Sequence, residues 1–202
     1  MKRRQVSNLL ALAVLAYLSR APMHPYELSK TLRSYGDARS IKFNHGSLYM
    51  VVQQLAKAGF VAEQEVNREG ARPERTVYGI TDAGRAELHD WLRELVGQPQ
   101  HEYPAFVSAL SMVSALTPGE VVTLLRERLA GLEAQRAEAA EVIDKSQAEG
   151  VHPLFLIEES YRLRLLDAEQ SFVEEFIAKI CDPQEGWGPM WATAHGAEFS
   201  TE

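Results

Sequence analysis

The 202-residue sequence predicts a mainly α-helical chain with a small β wing: a winged helix-turn-helix domain followed by an α-helical dimerisation domain. Three observations carry this reading. Apolar residues recur at helical spacing in three short segments before residue 60. The period then falls to about two on either side of a basic loop. Beyond Pro104 the helical spacing returns and holds almost to Pro183. The expected boundaries are 1–96 for the first domain, 97–182 for the second, and 183–202 for a loosely ordered tail.

Leu9, Leu10, Leu12, Ala13, Ala16 and Tyr17 mark the first helix, which Pro22 prevents from continuing. The run is basic at its front, like a signal peptide, but Arg20 ends it short of a membrane span, so it is expected to be a core helix. "HPYELSKTLRSYG" (24–36) opens with a proline suited to a first helical turn and closes on a glycine. In the third segment, "KFNHGSLYMVVQQLAKAGF" (42–60), Asn44 or His45 starts a helix whose Leu48, Val51, Val52 and Leu55 form one apolar stripe.

"FVAEQEV" and "RTVYGIT" then read as two strands, with Phe60, Ala62 and Val66 expected on one face of the first. "NREGARPE" joins them as a wing loop. Thr81 is the expected N-cap of a fourth helix with Leu88, Leu92 and Leu95 on its apolar side, and "GQPQ" (97–100) breaks it. In the second half, "TPGE" (117–120) matches a capping box. Val122, Leu125, Leu129, Leu132, Arg136, Ala139 and Ile143 follow at heptad-like spacing. The last helix is expected to set Leu154, Ile157, Tyr161, Leu165, Ala168, Phe172, Phe176 and Ile180 on one face. So much apolar stripe calls for a partner, most simply a second copy of the chain, with Leu125, Leu129, Leu132, Tyr161, Leu165, Phe172 and Phe176 as the dimerisation residues.

The net charge of −7 averages two unlike halves. Residues 1–96 carry 14 Lys and Arg against 10 Asp and Glu, and residues 97–202 carry 7 against 18. The basic half suits a polyanionic partner. Between Asp37 and Glu63 there is no carboxylate at all. A helix laid against duplex DNA would need that feature, because the phosphates repel carboxylates. The single Cys181 excludes an intrachain disulfide and fits a reducing cytoplasm.

"APMHPYELSKTL", "GSLYMVVQQLAKAGFV" and "RPERTVYGITDAGRAEL" together resemble the signature blocks of PadR-type transcriptional regulators. The long helical second half is similar to the larger subgroup of that family, which includes the virulence-activator type. The resemblance implies a winged helix whose third helix enters the major groove of double-stranded DNA, a wing near the neighbouring backbone, and a C-terminal homodimer. A small-molecule effector, often aromatic, regulates many relatives. Two local departures stand out: His24-Pro25 where His-Gly is common, and Met50 where Pro or Arg is frequent.

Residue roles follow from chemistry. Gln53 and Gln54 can pair bidentately with adenine, and Met50 can meet a thymine methyl group. Tyr49 and Lys57 share that exposed side, while Lys42, Asn44, His45 and Ser47 lie at the helix start, where phosphates are bound. Arg68, Arg72 and Arg75 are the expected wing contacts. Trp91 is the candidate ligand aromatic, against the plainer account that it packs; Trp187 and Trp191 raise the same choice.

Enzyme signatures are missing: no Walker loop, G-x-S-x-G, H-E-x-x-H or cysteine pair occurs, so neither catalysis nor a cofactor or metal is expected. The expectation is a cytoplasmic homodimeric repressor on an inverted-repeat operator, not associated with a membrane. The rival is a protein-binding winged helix acting as an adaptor.

Overall fold

The Asn8 side-chain oxygen accepts from the Leu10 N–H at 2.8 Å and starts α1 (Leu9–Leu18). Leu10, Ala11, Ala13, Val14, Leu15 and Leu18 are all buried, and a helix apolar on nearly every side belongs inside a core. This computed structural model describes residues 4–36, 39–64, 76–196 and 199, and the chain divides into two units, Met1–His101 and Glu102–Glu202. No helix among the described residues is long and apolar enough to cross a membrane.

In the first unit α2 (Pro25–Ser34) and α3 (His45–Lys57) follow α1. α3 packs on both α1 and α2 through Leu48, Val51, Val52 and Leu55. Gly59, at φ +74°, turns the chain out of α3, and the Phe60 N–H caps the Leu55 carbonyl at 2.9 Å. β1 (Val61–Gln64) then pairs antiparallel with β2 (Val77–Ile80), Val61 opposite Ile80 and Gln64 opposite Val77. Met23 adds two backbone bonds of 3.0 Å to Tyr78. Of the two faces of β1, Val61 is buried, whereas Ala62, Glu63 and Gln64 are exposed. With only one short strand turned inward, the position beside α3 decides which side chain goes in.

Thr81 ties the wing to α4 (Asp82–Gly97). Its hydroxyl donates to the Gly59 carbonyl at 2.7 Å and accepts from the Gly84 N–H at 3.1 Å. A Cβ on Gly84 would lie 2.0 Å from the Phe60 carbonyl oxygen, so this helix start sits against backbone. Trp91, not Leu92, joins Leu88 as the buried anchor of α4; Leu92 is exposed. Arg4 lies over the Trp91 ring at 5.1 Å and reaches Glu87 at 2.5 Å, Asp90 at 3.4 Å and Glu94 at 2.6 Å.

The second unit is helical. α5 (Ala105–Leu110) is shorter than the periodicity suggests and gives way to a 3-10 turn, Val113–Ala115. Thr117 caps α6 (Pro118–Ala148), accepting from the Glu120 N–H at 3.4 Å. A 3-10 turn at Pro153–Leu156 leads into α7 (Ile157–Cys181), which packs back along α6. Arg128 and Arg136 of α6 bridge to Glu169 and Asp167 of α7, which fixes an antiparallel hairpin.

Burial along α7 departs from the expected face. Glu159, Leu166, Val173 and Ile180, spaced by sevens, turn inward. Ile157, Tyr161, Leu165 and Phe172 are exposed, while Leu125, Leu129 and Leu132 of α6 join the core within the chain. The helix therefore carries two apolar stripes, and α6 covers only one of them. Finally, α8 (Trp187–Ala194) forms within the segment expected to be a loose tail and packs on α7 and α6.

Candidate nucleic-acid interface

The outer side of α3 is set by what its inner side buries. With Leu48, Val51, Val52 and Leu55 in the core, the helical period turns Tyr49, Met50, Gln53, Gln54 and Lys57 outward, and all five are exposed. Met50 is 61% exposed. Lys42, Asn44 and His45 are exposed at the start of the helix.

Asn44 and Ser47 form a reciprocal cap. The Ser47 N–H donates to Asn44 Oδ1 at 2.8 Å, and the Asn44 N–H donates to Ser47 Oγ at 2.9 Å. The Ser47 hydroxyl also donates to the Asn44 carbonyl at 2.9 Å. These two side chains therefore spend their hydrogen bonds inside the protein, which leaves the helix start stiff and its first backbone amides ordered.

α2 adds His24 and Tyr26, which the sequence marked only as part of a family departure and as an apolar anchor; Tyr26 is instead exposed. His24 Nδ1 accepts from the Tyr26 N–H at 3.0 Å, and the His24 N–H donates to Glu27 at 3.2 Å, a second capping box. This places four rings together. Tyr26 lies 5.7 Å from His45, Tyr49 lies 6.2 Å from His45, and Tyr49 lies 6.3 Å from His24. The N-terminal ends of α2 and α3 thus meet in an aromatic and imidazole cluster, with Tyr26 54% exposed. "HPYE" held the signal: a histidine and a glutamate three residues apart around a proline.

Beside the cluster, the Tyr78 hydroxyl donates to Glu63 Oε1 at 3.3 Å. Burial, followed by the Glu63 charge and this bond, holds the Tyr78 phenol above its ordinary range. Glu27 and Glu63, the described carboxylates that flank this surface, are thus each engaged by a neighbour. Arg68, Arg72 and Arg75 lie outside the described residues. Trp91 is 1% exposed in the core of the first unit, beneath Arg4, so it offers no ring face to a ligand. Among the described residues no group of three or more His, Cys, Asp or Glu is placed to hold a metal ion.

Residues 14–90 match the Transcriptional regulator PadR-like family. A curated relative, the negative transcriptional regulator PadR of Bacillus subtilis (strain 168), is 26% identical over 123 residues, 60% of this chain and 66% of the relative. Over residues 14–90 the chain is similar to PadR-like transcriptional regulators. It spans just under two thirds of that relative's length in the match.

Solved structures extend the likeness of fold past the PadR-like segment. Bacillus subtilis PadR in complex with operator DNA aligns with a TM-score of 0.68 at 22% identity, covering 87% of this chain and 99% of that one. PadR in complex with p-coumaric acid aligns with a TM-score of 0.68 at 20% identity, covering 89% and 98%. The Vibrio cholerae virulence activator AphA gives 0.61 at 20% identity, covering 85% and 97%. Such coverage reaches well beyond residue 90, so the likeness of fold includes the helical C-terminal region.

Proposed function

We propose that this chain is a sequence-specific repressor, acting in the cytoplasm as a homodimer on an inverted-repeat operator, and released by a small aromatic effector. The observation that carries the proposal is the exposed, carboxylate-free side of α3, held by a buried stripe and a capped start. Gln53, Gln54, Met50 and Tyr49 would read base edges from the major groove. Lys42, His45 and Lys57, with the wing's Arg68, Arg72 and Arg75, would hold phosphates. Tyr26 joins them from α2.

A relative named as a negative regulator supports repression, and the PadR complexes with operator DNA and with p-coumaric acid support the operator and the effector. The uncovered stripe of Ile157, Tyr161, Leu165 and Phe172 supports self-association, because two copies of one stripe cover each other about a twofold axis.

Selection of bound sites from random duplexes tests the reading directly. The expected result is an inverted repeat whose affinity falls steeply with salt. Failure to enrich any site, with binding to protein partners insensitive to salt, would instead identify an adaptor.

A further inference from the structure

The rings at the starts of α2 and α3 close a circuit. Tyr26 lies 5.7 Å from His45, His45 lies 6.2 Å from Tyr49, and Tyr49 lies 6.3 Å from His24. The backbone of α2 completes it, because the Tyr26 N–H donates to His24 Nδ1 at 3.0 Å. Each helix supplies two members, so the circuit ties the two helix starts together.

His24 is the most constrained of the four. Pro25 follows it and keeps its backbone extended, at φ −73° and ψ 145°. Its N–H donates to Glu27 Oε2 at 3.2 Å. Because Nδ1 accepts from the Tyr26 N–H, the imidazole cannot turn without uncapping α2. The ring itself is half-buried.

Tyr49 stands between two imidazoles, at interplanar angles of 76° to His24 and 65° to His45. Edge-to-face contacts of this kind are the arrangement aromatic rings favour. His45 precedes Tyr49 by one helical turn, so that contact moves with α3 itself. His24 reaches Tyr49 from a different helix and sets the phenol against the rest of the fold. Among the described residues the Tyr49 hydroxyl has no hydrogen-bond partner, which leaves it for a group outside the protein. A side chain already held in its bound rotamer loses less freedom on binding than one that must first be ordered.

We propose that His24 is a positioning residue for DNA recognition: its ring, fixed by the cap of α2, holds Tyr49 of α3 where the hydroxyl meets DNA. This role rests on the proposed function, since it needs a duplex for Tyr49 to meet.

The capping and positioning roles come apart by substitution. Asparagine caps a helix well and brings no ring, whereas phenylalanine brings a ring and no acceptor. The test uses the full-length protein labelled with fluorotyrosine, followed by fluorine NMR, denaturant unfolding and binding to a selected operator. The resonance missing in Tyr49→Phe identifies Tyr49 among the seven tyrosines.

His24→Asn should keep the unfolding midpoint, shift the Tyr49 resonance and weaken the operator about three- to tenfold. His24→Phe should lower the midpoint yet bring operator affinity back to within about twofold of native. In the Tyr49→Phe background, His24→Asn should cost less than about twofold more, because no hydroxyl remains to be placed.

An equal loss from His24→Asn with and without the Tyr49 hydroxyl would overturn the positioning role. So would an unmoved Tyr49 resonance, or a folded His24→Phe that binds no better than His24→Asn. An operator selected by the native chain and bound as tightly by His24→Asn also overturns it, and leaves the proposed function standing. Selection of no operator by the native chain removes the proposed function, and the positioning role with it.

Discussion

Ser47 and Asn44 exchange hydrogen bonds in both directions, at 2.8 and 2.9 Å, and so hold the first turn of α3 shut. Removing one partner exposes the amides that the other had satisfied. Asn44→Ala is expected to destabilise the protein by about 1 kcal/mol in denaturant unfolding. It should also weaken specific and random duplexes by similar factors, because the helix loosens while its base-reading side chains survive. Loss of affinity for the operator alone would show that Asn44 contacts a base.

Gln53→Ala is expected to behave in the opposite way. One bidentate base contact discriminates by about 1–3 kcal/mol, so the variant should tolerate changes at one operator position and keep its affinity for random DNA. Arg72→Ala should weaken every duplex about equally and reduce the salt dependence by about one phosphate contact. Competition binding at several salt concentrations checks both.

Arg4 is nearly sealed against Trp91 and three acidic neighbours on α4. Arg4→Met leaves Glu87 and Glu94, both largely buried, without their cation. A loss of about 3–5 kcal/mol is expected, read as a fall in the unfolding midpoint. DNA affinity of the protein that remains folded should not change, since Arg4 lies in the core contacts of α4.

The two stripes of α7 should separate folding from association. Leu165→Glu is expected to give a monomer by light scattering with an unchanged helical spectrum. Leu166→Ala, one residue away, should keep the dimer at high concentration but destabilise the second unit by about 2–5 kcal/mol. A dimer in the first variant would mean that another surface is used.

Tyr78 predicts an alkaline limit. Its phenol is held above its ordinary value of 10.0 by burial and by Glu63, so the folded state favours the protonated form. The resulting stability is fully present below the unfolded value and is lost as pH rises through the folded one. Unfolding free energy should therefore decline above about pH 10, and Tyr78→Phe should flatten that decline. Phenolate absorbance should show one tyrosine that titrates late.

The fold was legible wherever one periodicity ruled a segment. α1, α2, α3 and α4 follow from apolar spacing, helped by Pro25 at the start of α2, Thr81 before α4, and Gly36 and Gly59 after α2 and α3. Alternation in β1 left open which face is buried, because in a four-residue strand with one inward residue the neighbouring helix chooses the face. On α7 two apolar stripes overlap in sequence, so spacing alone could not say which one α6 covers. The tail looked loose because it is rich in glycine and polar residues, yet Gly186 sits against the Asp182 backbone and Gly188 against the Ile180 carbonyl. Of the candidate interface, the outward residues of α3 were readable. Tyr26 and His24 were not, because they come from another helix and meet α3 only in space.

The inward positions of α7 recur every seventh residue, and the outward ones fall between them. In the proposed homodimer, structural integrity and the choice of companion would be written in different letters of the same 25-residue word. A duplicated copy of this chain could change residues 157, 161 and 165 until it no longer mixed with its parent, while 166, 173 and 180 stayed as they are.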